Sequence, residues 1–353
     1  MAVLVLRWIF SLLTVIVISQ SVCLIYNTSY SHKSGIRLNL NCNATGSLFL
    51  TKHNTAVNEE IPYENAMELT HKIDEKLHNM FPEDLPWTSG SLGHCAVVGS
   101  GGILQNSSCG PEIDSADFVI RFNLAPINDS DVGVKTNLVT INPSQIEKKS
   151  SNKKRAYAHL PQLTSSSEVV LASLAVGEET AFTSLTASSL TGWGAERTST
   201  YMFQNGSDLL VKHVSVYGNA HLILPAFVFP SHTRYAKKAL EAIQPVRPQQ
   251  PVVFSSTSYL RNLAQLWKSR GLKVRRLSTG FRFINVALEL CEDVHVYGFW
   301  PFDIDPMQRQ VPYHYYDNRT PSKHWHRMPE EFLHLLRLHS QGALTLHLKT
   351  CAA

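Results

Sequence analysis

His94-Cys95-Ala96-Val97-Val98-Gly99-Ser100-Gly101-Gly102 reads as a short buried strand running into a glycine turn. A continuous apolar run, rather than alternation, suits a strand covered on both faces. Phe118-Val119-Ile120, Leu138-Val139-Thr140-Ile141, Val252-Val253-Phe254 and Val294-His295-Val296-Tyr297 repeat the pattern further along. Amphipathic stretches lie between them. Tyr259, Leu263, Leu266 and Trp267 share one helical face, and Phe281, Ile284, Leu288 and Cys291 share another. Buried strands alternating with helices imply an α/β fold, a mostly parallel central sheet flanked by helices. Ligands of such sheets bind beyond the carboxyl ends of the strands. The Gly99 turn, the Asn123 loop and the Ser255-Ser256-Thr257 turn are expected to gather at that edge. Residues 145 to 235 are harder to read; Ser- and Thr-rich runs at Thr164–Ser167 and Thr183–Ser189 suggest loops.

The N-terminus speaks to the compartment. Trp8 to Ile25 is mostly apolar and follows Arg7. At about 1.5 Å per residue it is long enough to cross a thin bilayer. A cleaved signal peptide, with Ser19, Ser21 and Cys23 near the cut, is the rival reading. We expect the uncleaved anchor, because the apolar run continues past those small residues. The expected order is an anchor at 1–26, a polar stem at 27–75 and a catalytic domain at 76–353. Six N-x-S/T sequons, at Asn27, Asn43, Asn106, Asn128, Asn205 and Asn318, agree with a lumenal fate. Asn43, Asn106, Asn128 and Asn205 are the glycosylation candidates, since Asn27 sits close to the membrane and Asn318 precedes Thr320-Pro321. Hydrophobic residues make up 44% of the 353, enough for a substantial core. Lys+Arg 32 against Asp+Glu 28 leaves a net +4, too mild to indicate nucleic acid as a partner.

Of six cysteines, Cys95, Cys109, Cys291 and Cys351 fall in the globular part. In an oxidising lumen four such residues suggest two disulfides. No pair has the close spacing that zinc sites built on C-x2-4-C require.

Three segments bear chemistry. Gly99-Ser100-Gly101-Gly102, after a strand and before a helix, can cradle a phosphate with backbone N–H groups. As a dinucleotide fingerprint it is incomplete, because the third glycine of G-x-G-x-x-G falls at Leu104. A tight turn without a ligand is the plain alternative. Arg276-Leu277-Ser278-Thr279-Gly280-Phe281 offers a second anion cradle, or simply an N-cap. Tyr313-His314-Tyr315-Tyr316-Asp317 precedes His324, His326 and Met328-Pro329-Glu330-Glu331-Phe332. Pro329 and two glutamates suit the first turn of a helix, with Phe332, Leu335 and Leu336 buried. His326 stands just ahead of that helix, and an imidazole switches protonation near neutral pH.

In combination these segments resemble the animal sialyltransferases, and among them the α2,8-sialyltransferases, over residues 93 to 353. Residues 95 to 144 resemble the family's large sialylmotif, with Cys95-Ala-Val-Val-Gly, Cys109-Gly110, Arg121-Phe122-Asn123-Leu124 and Asp131-Val-Gly. Residues 277 to 302 resemble the small motif, from Leu277-Ser-Thr-Gly to Tyr297-Gly298-Phe299-Trp300-Pro301-Phe302. His314-Tyr-Tyr-Asp317 resembles the third, and His326 with Glu331 carries the H-x4-E spacing of the last.

The resemblance implies a Rossmann-like GT-A-variant single catalytic domain. It implies CMP-sialic acid as donor substrate and no cofactor or metal ligands. Asn123, Ser278, Thr279, Gly280 and Trp300 would surround the nucleotide. Ser100 stands where the family usually has Asn, so donor affinity there is in question. Disulfides Cys95–Cys291 and Cys109–Cys351 are implied, as is inversion at the anomeric carbon. His326 would be the general base. His314, protonated, and the amides of 278–280 would stabilise the leaving phosphate. Glu331 would support local structure. The acceptor implied is a terminal sialic acid on a glycolipid (ganglioside) or glycoprotein, in the Golgi membrane, single-pass type II, with the catalytic domain lumenal. A homodimer is left open.

Three features stay outside that reading. Asp303-Ile304-Asp305 has the D-x-D form that can hold a cation on a diphosphate; with a single donor phosphate we read it as an exposed loop. Lys268, Arg270, Lys273, Arg275 and Arg276 form a basic run that reads as a solvated face, with guidance of a polysialic acid chain as the alternative. A nicotinamide oxidoreductase would use the glycine turn but leaves the anchor, sequons and histidines unexplained. A catalytically silent glycan-binding or partner-binding member is the remaining alternative, with Ser100 in its favour.

Overall fold

A computed structural model describes residues 42–87, 91–143, 145–146, 209–317 and 326–351. In chain order the elements used below are α1 (Ala44–Ser47), β1 (Glu60–Tyr63), β2 (Ala66–Lys72), α2 (Glu75–Asn79), β3 (His94–Val98), α3 (Gly110–Ser115), β4 (Phe118–Phe122), β5 (Leu138–Thr140), β6 (His221–Leu224), α4 (Pro230–Ile243), β7 (Val252–Phe254), α5 (Thr257–Ser269), α6 (Thr279–Leu290), β8 (Asp293–Tyr297), α7 (Met328–Ser340) and β9 (Thr345–His347). The chain divides into two compact units.

The first unit spans Met1–Leu48, Leu85–Thr136 and Ser258–Ala353. Its strands lie in the order β4-β3-β8-β9, all parallel. Cys95, Ala96 and Val97 are fully buried, as the apolar run required. Helix α6 packs on β3 and β8 and is buried almost all round, from Phe281 through Ala287. Helix α7 buries Phe332, Leu335 and Leu336 as expected, and packs on β9. In α5, Tyr259, Leu263 and Trp267 are buried on the face their spacing indicated.

The second unit, Phe49–Asp84 and Asn137–Thr257, holds parallel strands in the order β7-β6-β5 and the antiparallel pair β1-β2. Strand β6 lies in the stretch, residues 145 to 235, that is hard to read from the sequence. Leu222-Ile223-Leu224 was the available signal, a run too short to stand out among Ser and Thr. Residues 42 to 75, read as stem, carry α1, β1 and β2. Leu48, Phe49, Ile61, Tyr63 and Ile73 are buried there. The apolar signal is thin because β1 buries only alternate residues and β2 is mostly exposed.

Trp8–Ile25, Asn27, Asn205, Asn318 and His324 lie outside the described residues. Among the described residues no helix is long and apolar enough to cross a membrane.

Candidate active site

Strand β3 delivers Gly99 at its carboxyl end, beside the carboxyl end of β8, where Gly298 has a φ of 71°. The Gly99 N–H donates to the Tyr297 carbonyl at 2.8 Å and the Gly101 N–H to the Gly298 carbonyl at 2.9 Å. Glycine is required because the backbones pass so closely. A Cβ on Gly101 would lie 2.5 Å from the Gly298 carbonyl oxygen, and one on Gly102 would lie 1.8 Å from that of Pro312. Gly101 also forms an antiparallel bridge to His314, and the Tyr315 N–H donates to the Ser100 carbonyl at 3.1 Å. The first and third motifs are therefore joined by backbone. The turn leads into a single 3-10 turn, Gly102–Leu104, rather than the expected α-helix.

Asn123 ends β4 in the left-handed region with φ 58°, and Leu124 follows at φ 53°. Asn tolerates that conformation and Leu does so under strain, which marks a turn held by its surroundings. The preceding Phe122 ring meets Phe299 edge-on at 6.1 Å, and the Tyr315 hydroxyl donates to the Pro126 carbonyl. Arg121 is buried, and its Nε donates to the Lys135 carbonyl and Thr136 hydroxyl, each at 3.0 Å. Asp131 accepts from the N–H groups of Asn106 and Ser108 at 3.0 and 3.1 Å. These two motif residues brace loops.

The second cradle is a true helix start. Ser278 caps the twelve-residue α6, its hydroxyl accepting from the Phe281 N–H at 3.1 Å. Its own N–H donates to Glu331 Oε1 at 2.7 Å. Among the described residues the N–H groups of Thr279 and Gly280 have no protein acceptor. Gly280 lets the Phe299 ring lie flush, since a Cβ there would meet it at 2.5 Å. Glu331 is 3% exposed, and burial pushes its carboxyl up to about 7 against the opposing pull of the Ser278 bonds and Arg282. Sequence reasoning placed Glu331 in a helix's first turn but gave no sign of its burial. Glutamates in that position usually face water.

His326 lies half-buried, with Nδ1 3.2 Å from the Arg276 carbonyl oxygen. A carbonyl only accepts, so Nδ1 carries the proton and Nε2 keeps its lone pair. Burial lowers the His326 pKa below the ordinary imidazole value, and the cations Arg276 and Arg282 lower it further, against the Arg276 carbonyl bond. His314 pairs through Nδ1 with Asp317 Oδ1 at 2.8 Å and stacks on Tyr316 at 5.0 Å. The Trp300 indole N–H donates to the Ile304 carbonyl at 2.9 Å, and its ring meets Phe332 at 5.2 Å. The ring also meets Phe302 at 5.0 Å.

Asp305 corrects the exposed-loop reading of the D-x-D triplet. It is 4% exposed, and its carboxylate accepts from the Met307 and Arg309 N–H groups and pairs with Arg309 Nε at 2.7 Å. It closes its own turn, which a lone D-x-D string does not reveal. The basic run is exposed at Lys268, Arg270, Lys273 and Arg275, as a solvated face should be. The disulfides are Cys95–Cys291 and Cys109–Cys351. Asn43, Asn106 and Asn128 are exposed.

Residues 49–175 and 173–343 match the model for Glycosyltransferase family 29 (sialyltransferase). A human protein named alpha-2,8-sialyltransferase 8E is 34% identical over 329 residues, which are 92% of this chain and 74% of that protein. A Xenopus laevis protein named alpha-N-acetylneuraminide alpha-2,8-sialyltransferase is 35% identical over 313 residues, 88% of this chain and 73% of its own length. A crystal structure of a mammalian sialyltransferase with Gal-beta-1-3GalNAc-ortho-nitrophenol is similar at TM-score 0.49 and 17% identity, covering 89% of this chain and 93% of that one.

Proposed function

The chain belongs to glycosyltransferase family 29, the sialyltransferases, and on that premise we propose that it moves sialic acid from CMP-sialic acid onto the terminal sialic acid of a glycolipid or glycoprotein glycan. The names of the relatives support an α2,8 bond. The observation that carries the mechanism is the Nδ1 of His326 held on the Arg276 carbonyl, two residues before the Ser278 helix start.

The Nε2 lone pair of His326 takes the proton of the attacking acceptor hydroxyl. The oxygen forms its bond to the anomeric carbon as the bond to the donor phosphate breaks from the opposite face, inverting the centre. The electron pair leaves on CMP. The N–H groups of Thr279 and Gly280, at the positive end of α6, and the imidazolium form of His314 meet that growing charge. A single phosphate can be met by such donors without a divalent clamp, so the reaction is read as metal-independent. The same reading sets the chain in the Golgi membrane as a single-pass type II protein anchored through residues 8–25. Two disulfides support an oxidising compartment.

The test uses the full chain in detergent, labelled CMP-sialic acid and a chelator. Acceptors are a monosialylated glycolipid, sialylated glycoproteins and their desialylated forms. Transfer confined to sialylated acceptors, and lost in His326→Ala, is expected. Transfer to desialylated galactose ends overturns the linkage, and absence of transfer by a folded, CMP-binding chain overturns the activity.

A further inference from the structure

About 16 Å from the Gly99 turn, at five residues of about 3.3 Å each, the other end of the first unit's strands carries a second group of reactive side chains. Strands β3 and β8 pair His94 with Asp293 and Ala96 with His295, and β8 and β9 pair Tyr297 with His347. Directly paired residues and those two apart share a sheet face, so His94, Asp293, His295, Tyr297 and His347 lie along one face, with Tyr297 and His347 toward its carboxyl end. Ring nitrogens of His94 and His295 and a carboxylate oxygen of Asp293 fall within 4.8 Å of one another. His94 Nε2 is buried and has no hydrogen-bond partner.

A chain of polar contacts runs along this face from Asp293 to Glu112. Asp293 Oδ2 lies 3.3 Å from His295 Nε2, His295 Nδ1 lies 3.1 Å from His347 Nε2, and His347 Nδ1 lies 3.5 Å from Glu112 Oε1. The Tyr297 hydroxyl donates its own proton to Glu112 Oε1 at 2.8 Å.

We propose that His94, Asp293 and His295 bind a zinc ion that clamps the start of β3 to the start of β8. Two imidazoles and one carboxylate, with a fourth place for water, form a ligand set zinc accepts. Bonds of about 2.0–2.1 Å in a tetrahedron put ligand atoms about 3.3 Å apart, which is the Asp293–His295 spacing. The His94 ring packs edge-on against that of His295, 4.4 Å between centroids, and the three ligand atoms lie within 4.8 Å of one another. Beyond His295, the His347–Glu112 relay is the carboxylate-backed support that orients a ligating imidazole. Glu112, His347 and Cys351 also cluster, but Cys351 is held in its disulfide and leaves that group short of a ligand. The site is remote from the transfer reaction, so its success or failure is independent of the proposed function.

The experiment takes the full chain in detergent, strips metal with a chelator, and titrates zinc against a fluorescent zinc indicator. One equivalent per chain is expected, lost in His94→Gln and in Asp293→Asn, and about 10-fold weaker in Glu112→Gln. Asp293 is 44% exposed at its side chain, so its variant should fold even if the histidine variant does not. Cobalt should give the intense visible absorption of a four-coordinate ion with the parent chain. No stoichiometric zinc, undiminished zinc in a cooperatively melting Asp293→Asn, or a six-coordinate cobalt spectrum would each overturn the site.

Discussion

The turn at Gly99–Gly102 is bound by backbone on two sides, whereas the helix start at Ser278–Gly280 is braced from one side and keeps two amides uncommitted. In the turn, Gly99 and Gly101 donate to residues 297 and 298, and Gly101 bridges to His314. At the helix start, only the N–H groups of Ser278 and Phe281 are engaged, by Glu331 and by the cap itself. Both segments combine glycine with hydroxyl residues. The difference lies in the element each one opens. A twelve-residue helix concentrates unsatisfied N–H groups at its start, and a single 3-10 turn does not. Glycine in the first segment admits neighbouring backbone; in the second it admits the Phe299 ring.

If that division is right, substitutions in the two segments should separate rate from stability. The largest effect belongs to His326→Ala, beside the helix start. Transfer should fall by about 100- to 10,000-fold with CMP binding retained, read by initial rates and calorimetry. A loss of CMP binding equal to the loss of rate would assign His326 to the donor pocket instead. The parent rate should also fall on acidification below the ordinary imidazole range, because burial keeps His326 unprotonated to lower pH.

Next in size is the turn itself. Gly102→Ala sets a methyl 1.8 Å from the Pro312 carbonyl oxygen, a backbone atom that cannot swing aside. About 3 kcal/mol should be lost, lowering the melting temperature by about 6–12 °C. Gly280→Ala meets a ring at 2.5 Å that can rotate, and should cost less. Equal losses would erase the distinction.

Glu331 offers a titration of the helix start. Its carboxyl is raised from 4.5 to about 7 by burial. The folded state therefore holds the proton more tightly than the unfolded chain between those values, and stability falls as pH rises through that window. The total is on the order of 3 kcal/mol. Glu331→Gln should flatten the melting temperature across it, and a parallel slope in the variant would exclude Glu331 as its source. The smallest effect is Ser278→Ala, which removes one cap acceptor at about 1 kcal/mol, or about 2–4 °C in a thermal melt.

Much of this organisation was legible in the residues. Runs such as Cys95–Val98 and Val294–Tyr297 declare buried parallel strands because they are almost wholly apolar. Pro329, Glu330 and Glu331 announce a helix start by chemistry local to one turn. Strand β6 and the folded part of the expected stem were hidden, since strands of three or four residues contain too few periods to register and the seven-residue β2 is mostly exposed. The D-x-D triplet misled because a carboxylate's surroundings are not written in its neighbours. Asp305 is closed off by Arg309 and two amides, while Asp303 two residues away is exposed.

The sequence by itself determined the α/β class, the order of four motifs, the family they resemble and the pairing that family implies for four cysteines. These depend on local pattern, and pattern survives without coordinates. Only the tertiary structure decided which N–H groups at each turn are already taken, that Glu331 lies buried against Ser278, and that His94, Asp293 and His295 share one sheet face. Residues 94 and 293 are far apart in the chain. Strand register brings them together, and register is set by the whole buried face rather than by either residue.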